Sequence, residues 1–205
     1  MKRWFVACLA FAAPFFAGAE APPEAREAET IVFVPEAGMP RSWAGVGTVE
    51  YVVRHKLHTV RGVSRQVEIR AVADGSGLKV MGRAPVRSFD SGNSNRDAHV
   101  LEVVRAEKNP LVVLRGMAKG FQLPKGPGSF TVPLETEVQL AGVATPVHLT
   151  AQIEELASGD WKVNFAFDHR LSAHSIERPK LLLIPVDDEI SIRGEVLLEA
   201  VHETK

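Results

Sequence analysis

Histidine is the residue type in this chain best suited to chemistry near neutral pH, and there are seven. His55 and His58 form H-x-x-H, which on a helix could begin a metal site. Here the neighbours alternate like a strand, where positions three apart face opposite sides, roughly 10 Å from each other. Unless the chain bends between them, the two cannot share one metal. His55 keeps the parity of Tyr51 and Val53, which points it inward. His169 continues the parity of Trp161, Val163, Phe165 and Phe167 and points the same way. His99 ends the run Arg96-Asp97-Ala98-His99, which sets a cation, an anion and a titratable ring together. Arg96 can recognise phosphate or another polar head; equally it can pair locally while Asp97 meets a helix dipole. His174 lies in a later loop. Several histidines at strand ends could orient a polar group, although each taken singly reads first as structural.

Other chemistry is thinly represented. The single cysteine, Cys8, excludes an internal disulfide framework and any CxxC site. No serine stands in G-x-S-x-G, and Gly75-Ser76-Gly77 reads as a turn. Asp187-Asp188-Glu189 precedes the last strand and reads as a solvated loop. There is no Gly-rich phosphate loop and no dinucleotide fingerprint. Lys and Arg (24) nearly balance Asp and Glu (25), so a strongly basic nucleic-acid binder is excluded. Across 205 residues, 45% hydrophobic and 24% charged content is ordinary for a soluble domain.

The elements that must hold these side chains alternate with period two. In Phe130–Leu140 the even positions are apolar except Thr136, the signature of a half-buried strand. Pro133 cannot donate a ladder hydrogen bond, which places it near an edge or a bulge. The inward rows elsewhere are Val49, Tyr51 and Val53; Val63, Val67, Ile69 and Ala71; Val147, Leu149, Ala151 and Ile153; and Ile190, Ile192, Val196 and Leu198. Leu78–Val86 and Leu111–Met117 bring the total to about eight strands, with turn residues between them. The fold class is all-β. Eight antiparallel strands close into a barrel that can hold one small ligand, with a two-sheet sandwich as the competing architecture. One stretch, about 94–106, has apolar positions 100, 101, 103 and 104 and predicts a short inserted helix, capped by Ser94 with Asp97 three residues on.

The chain begins with an address. Lys2 and Arg3, an apolar run from Trp4 to about Ala17, and Ala17-Gly18-Ala19 predict a signal peptide over 1–19. That run is too short to span a membrane and Pro14 interrupts it. Residues 20–42 read as a Pro/Ala/Glu-rich tether and 43–201 as the folded domain. An exported chain left without cysteine fits a bacterial envelope.

Three stretches resemble the YceI-like family. Val49-Glu50-Tyr51-Val52-Val53-Arg54-His55 with Val60-Arg61-Gly62 is similar to its opening strand, histidine and V-x-G. Arg96-Asp97-Ala98-His99, followed by Asn109-Pro110 and Leu111–Leu114, is similar to its R-D-x-H helix and next strand. Val138–Val147 resembles its G-V-T-x-P-V hairpin. The resemblance spans roughly 43–200. It implies a lipocalin-like periplasmic barrel that carries or stores a polyisoprenoid, an isoprenoid quinone or a similar long-chain lipid without catalysis. It implies no other cofactor, while charge balance and composition argue against a nucleic-acid partner and an integral membrane protein. It also singles out His55, Arg96 and His99.

With the inward row, the expected ligand-binding residues are Val49, Tyr51, Val53, His55, Arg96, His99, Phe165, Phe167 and His169. No residue is expected to be catalytic or to bind metal. Two other readings remain. One is a filled barrel that docks an envelope protein through a sheet edge or the loop 171–187, with its apolar Leu181–Ile184. The other is a metal or enzyme site, which needs at least three histidines within about 5 Å of one point.

Overall fold

A computed structural model of the protein describes residues 41–56, 58–181 and 184–201. The expected signal peptide and residues 20–40 of the expected tether lie outside the described residues. The alternating segments form β1 (Arg41–Arg54), β2 (Thr59–Asp74), β3 (Gly77–Pro85), β4 (Leu111–Lys119), β5 (Gly128–Leu140), β6 (Val143–Glu155) and β7 (Trp161–Arg170). Two short strands follow, β8 (Lys180–Leu181) and β9 (Ile184–Pro185), and then β10 (Glu189–Val201). The first strand thus starts two residues before the expected domain boundary. β8 and β9 pair only with each other. The remaining eight strands close into an antiparallel barrel in the order β1-β10-β7-β6-β5-β4-β3-β2. Closure decides against the sandwich and removes both sheet edges.

The seam that closes the barrel runs from Ser42 opposite Val201 to Val53 opposite Ile190. Several other seams are shorter. β4 meets β5 only from Val113–Gln139 to Met117–Glu135, and β6 meets β7 only from Thr150–Ala166 to Glu155–Trp161. Pro133 lies beyond the stretch of β5 that β4 covers and pairs only towards Thr150 of β6, which accommodates its missing donor.

One expected inward row is corrected. The β1–β2 register slips between Gly47–Val67 and Val49–Ser64, so Arg65 and Gln66 stand opposite Thr48 alone. This bulge switches the inward parity of β2. Val67, Ile69 and Ala71 are buried as expected, but Val63 shares the outer face with its partner Glu50, and Gly62 and Ser64 point in.

The helix α1 (Ser94–Val103) is inserted between β3 and β4. Its cap is Asn93, one residue earlier than expected, whose side chain accepts from the Arg96 amide at 3.1 Å. Asp97 does not complete a capping box because its carboxylate is taken by Ser91. The helix ends at Val103, short of the expected 106. Arg105 turns left-handed (φ 54°) and the Ala106 amide bonds back to the Leu101 carbonyl, a Schellman ending.

Two packed layers sit at opposite ends of the barrel. At the floor Trp43 stacks on Trp161 at 3.8 Å, with Phe121 and Phe130 edge-on to Trp161. Arg41 lies over Trp43 and pairs with the buried Glu155 at 3.3 Å. At the other end Val86, Val104, Ala141 and Ile176 form a cap core with Val100 and Leu101 of α1.

Gly45 is held against the closing seam: a Cβ there would collide with the Leu197 carbonyl oxygen of β10. Gly45→Ala should therefore lower unfolding free energy by about 2–3 kcal/mol in urea denaturation. Arg105→Gly should raise it by about 1 kcal/mol, because the left-handed conformation then costs no Cβ clash.

Candidate functional site

Between the floor and the cap the barrel is hollow. The cavity measures about 300 Å³, at the lower end of the roughly 300–1,000 Å³ usual for ligand pockets. Its walls are almost wholly apolar and come from all eight barrel strands and α1. Gly62, Gly82, Gly116 and Gly194 stand at inward positions, and Gly82 lines the cavity. Two of them also receive aromatic rings. Gly62 lies directly opposite Tyr51 and Gly194 directly opposite Phe165, and a Cβ on either would collide with the ring. The rings therefore lie against the wall rather than across the lumen. This hollow does not fit the filled-barrel reading.

Polar groups gather at the α1 end. Arg96 donates from Nε to Ser91 Oγ at 2.8 Å and from Nη2 to the Ser91 carbonyl at 2.6 Å. Asp97 accepts from the amide and hydroxyl of the same serine. Both readings of this motif thus meet in one place: the two charges are locally engaged, yet Arg96 still lines the cavity. His99 also lines it, with Nδ1 3.4 Å from the exposed Glu102. Burial, and next the Asp97 carboxylate, push the Tyr51 phenol above its ordinary value, with Arg96 opposing.

A second polar cluster faces this one. His169 Nε2 lies 2.6 Å from His174 Nε2, and Thr145 Oγ1 reaches both, at 2.9 and 3.2 Å. His174 Nδ1 donates to the Val143 carbonyl at 2.8 Å. His174 is 1% exposed, and both rings line the cavity. Thr145 stands on β6 above the point where pairing with β7 stops, so the cluster bridges two strands where no backbone ladder joins them.

Eight of the nine expected residues line the cavity: Val49, Tyr51, Val53, Arg96, His99, Phe165, Phe167 and His169. His55 does not. It is buried outside the lumen, where Nε2 donates to the Ile184 carbonyl at 3.2 Å and ties the β1–β2 turn to β9. The expected separation of His55 and His58 is also corrected. The chain does bend between them, through hydrogen bonds from each amide to the other's carbonyl, and the rings stand 5.4 Å apart. Among the described residues no three His, Cys, Asp or Glu side chains come together as a metal site. Sequence reasoning placed His174 only in a loop and did not join it to His169. The 3-10 turn Leu171–His174 brings it back over the barrel, and that turn has no periodic signal.

A closed eight-stranded antiparallel barrel with an apolar interior and one capping helix defines a lipocalin-like binding fold. The chain belongs to the YceI-like domain family, whose model matches residues 44–197. Solved structures with the same fold include a polyisoprenoid binding domain from Saccharophagus degradans implicated in plant cell wall breakdown (TM-score 0.64, 11% identity, 77% of this chain and 98% of that one). BcnA of Burkholderia cenocepacia is similar too (0.59, 16%, 74% and 95%). So is a YceI protein of Campylobacter jejuni (0.54, 18%, 73% and 90%). Comparison with curated protein sequences finds no match. Among the described residues no helix is long and apolar enough to cross a membrane.

The buried histidines make stability depend on pH. Burial holds both His169 and His174 below the ordinary value of 6.5; for His169 the charge of His174 adds to this, and for His174 the Val143 bond partly opposes it. The unfolded chain takes up these protons first. Their contribution is therefore complete above about pH 6.5 and lost as pH falls from there through the folded-state values. Asp74 and Asp188 are shifted below 3.8 and act only at lower pH. The melting temperature should fall between about pH 7.5 and about pH 5.5. The fall should be smaller in His174→Gln, and a flat profile in the unmodified protein would contradict the assignment.

Proposed function

We propose that this protein is a non-enzymatic periplasmic binder or carrier of a polyisoprenoid or similar long-chain lipid. The observation that carries the reading is the apolar cavity between two packed end layers, in a chain of a family with a polyisoprenoid-binding structural relative. Burial of hydrocarbon is worth about 0.8 kcal/mol per CH₂, so a chain of several isoprene units binds such walls without precise polar contacts. Val49, Tyr51, Val53, Phe165 and Phe167 take the hydrocarbon. Arg96, His99 and His169 stand where its head emerges. The basic start, apolar run and small-residue box of 1–19 support export, with the segment up to about residue 40 as a tether.

Native mass spectrometry of the protein purified gently from its own host tests this. A bound mass that extracts into organic solvent as a long apolar chain is the expected result and names the ligand. A ligand-free mass that does not change when quinones or polyprenols are added would overturn it.

A further inference from the structure

The protons of the histidine cluster are fixed by its geometry. The Val143 carbonyl can only accept, so His174 carries its proton on Nδ1. His174 is buried and neutral, which leaves Nε2 as a bare lone pair. His169 Nε2 lies 2.6 Å from it. Two bare lone pairs at that distance repel, so a proton must stand between them, on His169 Nε2. The Thr145 hydroxyl joins the same junction and needs no change in this arrangement. A neutral His169 protonated on Nε2 has a bare acceptor at Nδ1, and Nδ1 bonds to no described residue. That acceptor belongs to a ring that lines the cavity.

The cations at the lumen are already committed. Among the described residues Arg83 and Arg96 are the only Lys or Arg lining the cavity. Glu68 holds Arg83 through Nε at 2.8 Å and Nη2 at 2.6 Å. Ser91 holds Arg96 through two nitrogens, with the Asp97 carboxylate on the same serine. A phosphorylated head, with a charge of about −1.5 to −2, must compete with Glu68 for Arg83 and with Ser91 for Arg96.

Given the lipid-binding reading, we propose that the cavity selects a ligand with an uncharged hydroxyl head, a long-chain alcohol or phenol, whose O–H donates to His169 Nδ1. A quinone, ether or ester offers only acceptors to this nitrogen and gains nothing from it. Thr145 and His174 act as positioning residues: they hold His169 in the tautomer that presents the acceptor.

Three probes of one chain length separate the possibilities: farnesol, farnesyl methyl ether and farnesyl phosphate. Trp161 lines the cavity, so its fluorescence reports occupancy of the purified protein. Farnesol should bind roughly tenfold more tightly than the ether, and the phosphate should bind more weakly than farnesol. His169→Phe should remove the preference for alcohol over ether. Equal binding of alcohol and ether to the unmodified protein, or tightest binding of the phosphate, overturns the head-group assignment and leaves the lipid-binding reading intact. Failure of all three probes to bind overturns both. The comparison in the unmodified protein decides the matter even if His169→Phe does not fold.

Discussion

The closing of β10 on β1 is the constraint on which the rest depends. Every barrel strand has a neighbour on both sides, along all or part of its length, so side chains rather than backbone decide how full the interior is. Closure demands close backbone approach at the seam, and Gly45 supplies it. Where a strand has no bulge, as in β1, parity then holds along its whole length, and its odd residues face the lumen. The aromatic rings of Tyr51 and Phe165 therefore have no choice but to enter the interior. The glycines opposite them determine that they flatten against the wall, and a hollow remains where a filled core could have formed.

The strands, their number and the inserted helix were legible because each follows a period that survives any tertiary context. What was not legible depended on single residues. The bulge at Arg65–Gln66 turned Val63 outward, although its sequence reads as an uninterrupted strand. The bend at His55–His58 defeated an argument that assumed a straight chain. Composition of the inward rows did not distinguish a hollow from a filled barrel. Glycine at the inward positions 62 and 194 receives the rings of Tyr51 and Phe165, a pairing across strands that spacing within one strand does not reveal. His169 was placed inward correctly by parity. Its coupling to His174 came from a short turn and from a carbonyl on another strand, and neither has a counterpart in residue spacing.

The two ends of the lumen solve different physical problems. At the floor, stacked indoles exclude water, and two buried polar atoms, Trp161 Nε1 and Glu155 Oε2, have no partner among the described residues. At the α1 end, polar side chains engage one another: Arg96 and Asp97 through Ser91, and His169 and His174 through their Nε2 atoms. This compensation lets charged and titratable groups border an apolar space at modest desolvation cost. It also means that the rim's character is set by lone pairs and tautomers rather than by net charge.

The uneven seams give the barrel a mechanical grain. β5 and β6 are zipped together along their whole length, from Gly128–Glu155 to Leu140–Val143, but each is joined to its other neighbour over only part of its length. This hairpin is a panel set in a frame, with its own ladder intact when the lines around it part. The free edge of the panel towards β7 is clasped by Thr145, and the clasp is made of side chains rather than backbone. Local opening in a folded protein follows the path of fewest lost bonds. By that rule the wall of this barrel should yield as a hinged leaf, with amide exchange faster along its two borders than within it.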